Sequence, residues 1–241
     1  MSQAAQDHYE RLLAQHYTWM FGVPFDRKVG EQAALLREAG IVEPGMAVDL
    51  GCGSGFQAVA LADMGASRVH AFDTSAALLA ELAAHAGERA ITTYEADLMT
   101  IGARLDGPAD TIVCMGDTVT HLGSTAAVAA LFGTIAERLA PGGRLVLSWR
   151  DLSNPPEGLD RFIPVRSTDE RIMTCFLEDR GDTVLVHDLI HERGPDGWQL
   201  EKSAYPKLKL SPGWVREQLK AAGLSPGFER TVRGMTVMAA S

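Results

Sequence analysis

The 241-residue sequence predicts an α/β protein, a doubly wound, mostly parallel seven-stranded sheet carrying an antiparallel β insertion. Three observations predict it. Short apolar strands alternate with helical stretches from Met46 to Trp149. A glycine-rich turn, Gly51-Cys52-Gly53-Ser54-Gly55, separates the first strand from the next helix. From about Arg161 to Lys209, strand-like runs follow one another with no helix between them. Strands joined through helices imply right-handed crossovers and a parallel sheet covered on both faces.

The elements are read in order. Helical spacing of Leu12, Leu13, Leu35 and Leu36 predicts helices over 3–20 and 27–39. The aromatic turn between them (Tyr17, Trp19, Phe21, Gly22, Val23, Pro24) is either a hydrophobic staple on the core or a pocket wall. Strands are predicted at 46–50, 68–72, 91–95, 111–115 and 144–149. Helices are predicted at 57–64, 76–85 and 126–139, with the turn Pro141-Gly142-Gly143 before the fifth strand. The insertion reads as strands over 162–165, 171–178, 183–191 and 198–210. Arg180-Gly181-Asp182 and Gly194-Pro195-Asp196-Gly197 supply turns between them. A helix over 212–222 and strands over 227–231 and 235–239 follow. Their order places the last strand antiparallel between the fifth and sixth. The chain therefore divides into a helical cap (1–40), a core (41–152), a β lid over the substrate region (153–210) and a segment completing the core sheet (211–241).

Composition narrows the function. A net charge of -9 without a basic run repels phosphate backbones, so nucleic acid is not expected as a partner. No apolar run approaches the ~20 residues that cross a bilayer, so no membrane is expected either, and a cytoplasmic location is. Cys52, Cys114 and Cys175 are odd in number and widely spaced, which suits buried thiols rather than a disulfide framework or metal site. His187 and His191 lie in a strand-like segment and share no helical face, so no metal is expected.

The sharpest local signal is Val48-Asp49-Leu50-Gly51-Cys52-Gly53-Ser54-Gly55. Glycines permit the positive φ angles of a tight strand-to-helix turn and let a ligand approach the backbone. A dinucleotide turn of the form GxGxxG needs glycine at position 56, where this chain has Phe56. Asp49 beside the turn suits a cationic ligand end better than a pyrophosphate. Asp73, ending the second strand, can accept from both ribose hydroxyls, with Thr74 next to it. Asp97, after the third strand and before Leu98, can accept from an adenine amino group. Each acid alone is commonly a helix cap; together, at successive strand ends, they outline a nucleoside site, with Met115 closing the fourth strand beside it.

As a set, Asp49, Gly51, Gly53, Gly55, Asp73 and Asp97 resemble the signature of class I methyltransferases that use S-adenosylmethionine (SAM), over about residues 28–150. The resemblance implies a Rossmann-like fold, SAM as cofactor and S-adenosylhomocysteine as product. Further stretches are similar to glycine N-methyltransferases: Glu95-Ala96-Asp97-Leu98-Met99-Thr100, Gly116-Asp117-Thr118 with His121-Leu122, and Trp149-Arg150-Asp151. That likeness implies that Arg150 clamps an acceptor carboxylate, a task suited to a guanidinium fork; a surface pairing of Arg150 with Asp117 or Asp151 is the alternative. It also implies Lys28, with Arg27 as rival, at the methionine carboxylate. Where the family carries an amide near the acceptor amine, this sequence has Asp117, which would favour a more cationic acceptor or only cap a helix. Tyr17 and Trp19 can wall the acceptor pocket. His121 is the candidate base if the acceptor atom is oxygen.

The sequence therefore predicts methyl transfer to a small molecule, by preference the nitrogen of an amine or amino acid. An O-methyltransferase acting on a carboxylate or phenol, and a non-catalytic SAM-binding module, are the alternatives. The reading allows a homo-oligomer.

Overall fold

The alternation of short apolar runs with helices resolves, in a computed structural model describing residues 1–241, into two sheets, with a strand at each predicted strand position. The chain opens with α1 (Gln3–His8), a π-helical turn at Tyr9–Leu13, a 3₁₀ turn at Ala14–His16 and α2 (Tyr17–Met20). There follow α3 (Phe25–Glu38), β1 (Met46–Leu50), α4 (Phe56–Asp63), β2 (Arg68–Asp73), α5 (Ala76–Ala86) and β3 (Ile91–Glu95). Next come α6 (Ile101–Arg104), β4 (Ala109–Cys114), α7 (Thr125–Arg138) and β5 (Leu139–Trp149). The insertion holds β6 (Phe162–Ser167), β7 (Arg171–Asp179), β8 (Thr183–Gly194) and β9 (Gly197–Leu208). The chain returns to the core with α8 (Pro212–Ala221), β10 (Pro226–Val232) and β11 (Met235–Ala240).

The core sheet runs β10-β11-β5-β4-β1-β2-β3, and the insertion forms a separate sheet in the order β6-β7-β8-β9. β11 lies antiparallel between β5 and β10, where the element order predicted it. Period-two alternation splits each central strand between two cores, one on each face of the sheet. Leu50, Ile112, Leu147 and Trp149 pack on one side. Ala47, Val113 and Val146 pack on the other with Phe56 and Leu61 of α4. Burying each large apolar side chain contributes about 1.5–3 kcal/mol, so double-sided burial makes these strands the stable frame of the site. Ser75, Ser124 and Ser211 cap α5, α7 and α8 through their hydroxyls, which satisfies N–H groups that the first helical turn leaves unpaired.

Several boundaries differ from expectation, among them the helix expected over 3–20, which is broken by the π-helical and 3₁₀ turns. β5 starts at Leu139 rather than Arg144, because Pro141-Gly142-Gly143 is absorbed as an irregularity in the β4–β5 ladder. β8 and β9 run to a tight turn, pairing as far as Gly194 with Gly197. Trp149 Nε1 donates to the Leu210 carbonyl at 2.8 Å and so ties the end of β5 to the start of the returning segment. No helix is long and apolar enough to cross a membrane.

Candidate active site

β1 sits where the sheet changes winding direction, with β2 on one side and β4 on the other, and the crevice beyond its carboxyl end is the expected place for a ligand. Gly51, Gly53 and Gly55 turn the chain there with φ of 72°, 53° and 96°. A Cβ on Gly51 would lie 2.3 Å from Thr118, and one on Gly55 would lie 2.2 Å from Leu82. Both positions therefore require glycine for space as well as for conformation.

Three carboxylates stand around this turn. Asp49 is 1% exposed. Its Oδ2 has no hydrogen-bond partner. Burial, and then the charge of Asp73, pushes its carboxyl up to about 8, against the help of the Ala58 N–H. Asp73 accepts from Gly53 N–H at 2.8 Å and Ser75 N–H at 2.9 Å; burial raises its pKa and these bonds oppose the rise. Asp97 accepts from Met99 N–H at 2.8 Å and also binds the amino group of Met1. Thr74 Oγ1 lies 4.0 Å from the Met1 sulfur. Met1 thus spans Thr74 and Asp97, and its ammonium stands in for the amino donor that Asp97 was expected to receive.

The N-terminal segment, expected as a helical cap, packs against the turns of this crevice. Ser2 N–H donates to the His121 carbonyl at 2.8 Å. The Tyr17 ring lies over the glycine turn, 3.1 Å from where a Gly53 Cβ would be. The insertion reaches the site from behind: His8 Nε2 bonds Asp188 Oδ2 at 2.9 Å and stacks on Tyr205, which clamps α1 to the inner face of the β8–β9 pair.

On the acceptor side, the chain leaves β4 through Asp117, held at φ 76°, into a 3₁₀ turn carrying His121. Asp117 Oδ2 receives Lys207 Nζ at 2.9 Å, and Oδ1 receives the Arg150 backbone N–H at 2.6 Å. Burial alone would raise this carboxyl, but Lys207 and the Arg150 N–H outweigh it and hold the pKa below the usual value. Asp117, expected to favour a more cationic acceptor or only to cap a helix, is paired with Lys207 and makes no side-chain cap bond to the turn that follows it. His121, 2% exposed, packs against Tyr9 and Tyr205 with ring centroids 5.7 and 5.4 Å away. Its Nε2 has no partner. Burial, then the nearby Lys207 charge, drives its pKa down to about 3, so the imidazole is neutral. Burial pushes the phenols of Tyr9, Tyr17 and Tyr205 upward, so all three stay protonated.

The other expected residues surround this centre. The Arg150 side chain is 51% exposed at the rim, with Nε 3.6 Å from Asp117. Lys28 pairs with Glu31 at 3.6 Å, sits over the Phe21 ring, which packs on Tyr17 and Phe56, and lines a hollow with Arg230 and Arg233. Glu31, three residues on along α3, is simply the nearer anion. Leu98 and Met115 are buried in the two cores. Trp19 is covered by Arg166 and Arg171 of the insertion. No group of three or more His, Cys, Asp or Glu side chains is arranged to hold a metal ion.

Sequence reasoning missed Tyr9, Tyr205 and Lys207. Tyr205 and Lys207 are two apart on β9 and so share its inner face, a legible period, but nothing local says which face meets the core. Tyr9 begins the π-helical turn, a bulge that shifts the helical register and has no sequence marker.

Comparison with known proteins agrees with this geometry. Residues 47–143 match the family model described as a methyltransferase domain. No curated protein matches the sequence. Among solved structures, the CcbJ methyltransferase from Streptomyces caelestis superposes with a TM-score of 0.77 at 18% identity, covering 96% of each chain. An amino pentose methyltransferase from Micromonospora echinaspora, with SAM bound, gives 0.72 at 19% identity over 100% of this chain and 98% of that one. A sugar N-methyltransferase from a Streptoalloteichus species gives 0.71 at 17% identity over 99% and 93%. At these identities the likeness is one of fold.

Proposed function

We propose that this chain, which carries a class I methyltransferase domain at residues 47–143, methylates the amine nitrogen of a small hydroxylated molecule, using SAM. The carrying observation is His121: a buried neutral imidazole with an unpartnered Nε2, packed against the protonated phenols of Tyr9 and Tyr205 and near an Asp117 carboxylate already paired with Lys207. Such surroundings favour an uncharged amine, which is the nucleophilic form. The resemblance of the fold to an amino pentose methyltransferase and a sugar N-methyltransferase supports an acceptor rich in hydroxyl groups.

The residues present fit the cofactor. The orphaned Asp49 Oδ2, buried beside a second carboxylate, calls for a cation, and SAM carries two. Gly51, Gly53 and Gly55 turn the backbone at the strand tip with positive φ, Asp73 keeps lone pairs that suit ribose hydroxyls, and Asp97 after β3 is the acid that would face adenine. When bound, SAM supplies a methyl group already activated by a positive sulfur. The chain's own task is then to position the acceptor, exclude water and keep the amine unprotonated. His121 Nε2 can accept an N–H of the amine, Tyr9, Tyr17 and Tyr205 wall the acceptor side, and Arg150 at its rim meets an acidic group if the acceptor bears one.

Isothermal titration with SAM, followed by assays of S-adenosylhomocysteine release over a panel of amino sugars, amino acids and phenols, tests the reading. Turnover of amines with a hydroxylated frame is expected. Turnover confined to phenols or carboxylates, abolished by His121→Ala, would instead establish the O-methyltransferase alternative.

A further inference from the structure

Seven of the eight exposed large hydrophobic side chains fall between Leu159 and Leu200. Four of these alternate onto one surface, the face of the four-stranded sheet turned away from the active site. Phe162 pairs across to Phe176, and Ile172 to His191, which in turn pairs with Leu200. Phe162 is 53% exposed, Leu200 46%, Trp198 43% and Ile172 37%. The opposite face holds the buried residues Val186, Asp188, Tyr205 and Lys207. An antiparallel sheet with one face on the core ordinarily alternates to polar side chains outside. Here both faces are built for contact.

We propose that this outer face docks a second copy of this chain in a twofold-symmetric dimer. Four strands at about 4.8 Å spacing and nine residues at about 3.3 Å rise give a face of roughly 19 by 30 Å in projection. Covered with side chains, that surface matches the ~800 Å² that each partner buries in a standard interface. It contains a hollow of about 480 Å³ lined by Phe162, Phe176, His187 and Leu189, able to receive a protruding apolar side chain.

The charges on the face select a copy of itself. Glu178, toward the β7–β8 turn, is held by Arg180 and His187, while Arg193 stands at the β8–β9 turn and Lys202 at mid-strand opposite Leu189. A twofold axis through the middle of the face exchanges the two ends and brings the acid of one copy toward Arg193 of the other, as an isologous interface requires. An anionic membrane would be repelled by a chain of net charge -9.

Sedimentation velocity on the full chain at tens of micromolar tests this. The expected species has about twice the 25.9 kDa chain mass. Leu200→Glu and Phe162→Glu, each on an exposed side chain and checked for native circular dichroism, should raise the dimer dissociation constant at least ~30-fold, the loss expected at an interface hot spot. Val42→Glu, which changes the eighth exposed hydrophobic, remote from this sheet in sequence and 79% exposed, should leave the mass unaltered. A monomeric wild type overturns the proposal, as does a dimer that survives both substitutions. Flotation of a monomer with phosphatidylserine vesicles, lost in Leu200→Glu, would overturn it in favour of a membrane.

Discussion

Lys207 reaches across 90 residues of sequence to set its ammonium 2.9 Å from Asp117 Oδ2, with each side chain only 10% exposed. This pair joins the insertion to the tip of β4, and with it the turn that presents His121. A buried pair of this kind need not stabilise the fold more than apolar packing would, but losing one partner strands the other charge.

Lys207→Met should accordingly destabilise the protein by about 3–5 kcal/mol, seen as a lower midpoint in urea unfolding. Lys207→Met with Asp117→Asn should recover much of that loss. If the double variant is no more stable than the single one, the pair is not what holds the two elements together.

Asp49 makes stability depend on pH. Its carboxyl, pushed up to about 8, binds a proton more tightly in the folded than in the unfolded chain. Between roughly pH 4 and pH 8 the folded state holds more protons, so stability falls as pH rises through that window. Asp49→Asn should flatten this slope in thermal melts while weakening SAM binding by calorimetry. A slope unchanged in the variant would assign the effect to another group.

His121→Asn should lower kcat by about 100-fold, through loss of the hydrogen bond that orients the amine, with SAM affinity changed less than about twofold. Because the imidazole pKa lies near 3, the acid limb of the wild-type kcat profile should follow the acceptor's own amine. An inflection near the ordinary histidine value of about 6.5, removed by His121→Asn, would contradict the neutral-imidazole reading.

Gly55→Ala should cost about 1–3 kcal/mol from backbone strain alone, since the residue holds φ 96°, with more from the contact its methyl would make with Leu82. The melting temperature should drop and SAM binding weaken together. A variant with native stability would mean that α4 can shift without cost.

The sequence by itself determined the frame: which segments are strands or helices, the antiparallel place of the last strand, and the glycine turn with Asp49, Asp73 and Asp97 at adjacent strand ends. These are local properties, set by apolar period, turn chemistry and the fixed hand of βαβ connections. The tertiary structure alone decided the partners. Asp117 was legible as a site residue but not as a neutralised one, because Lys207 comes from the far edge of another sheet. The N-terminal segment was legible as a helical cap but not in its anchor, because His8 bonds Asp188, 180 residues away on β8. Charge state and anchoring depend on groups far apart in the chain, and no local pattern encodes which of them will meet.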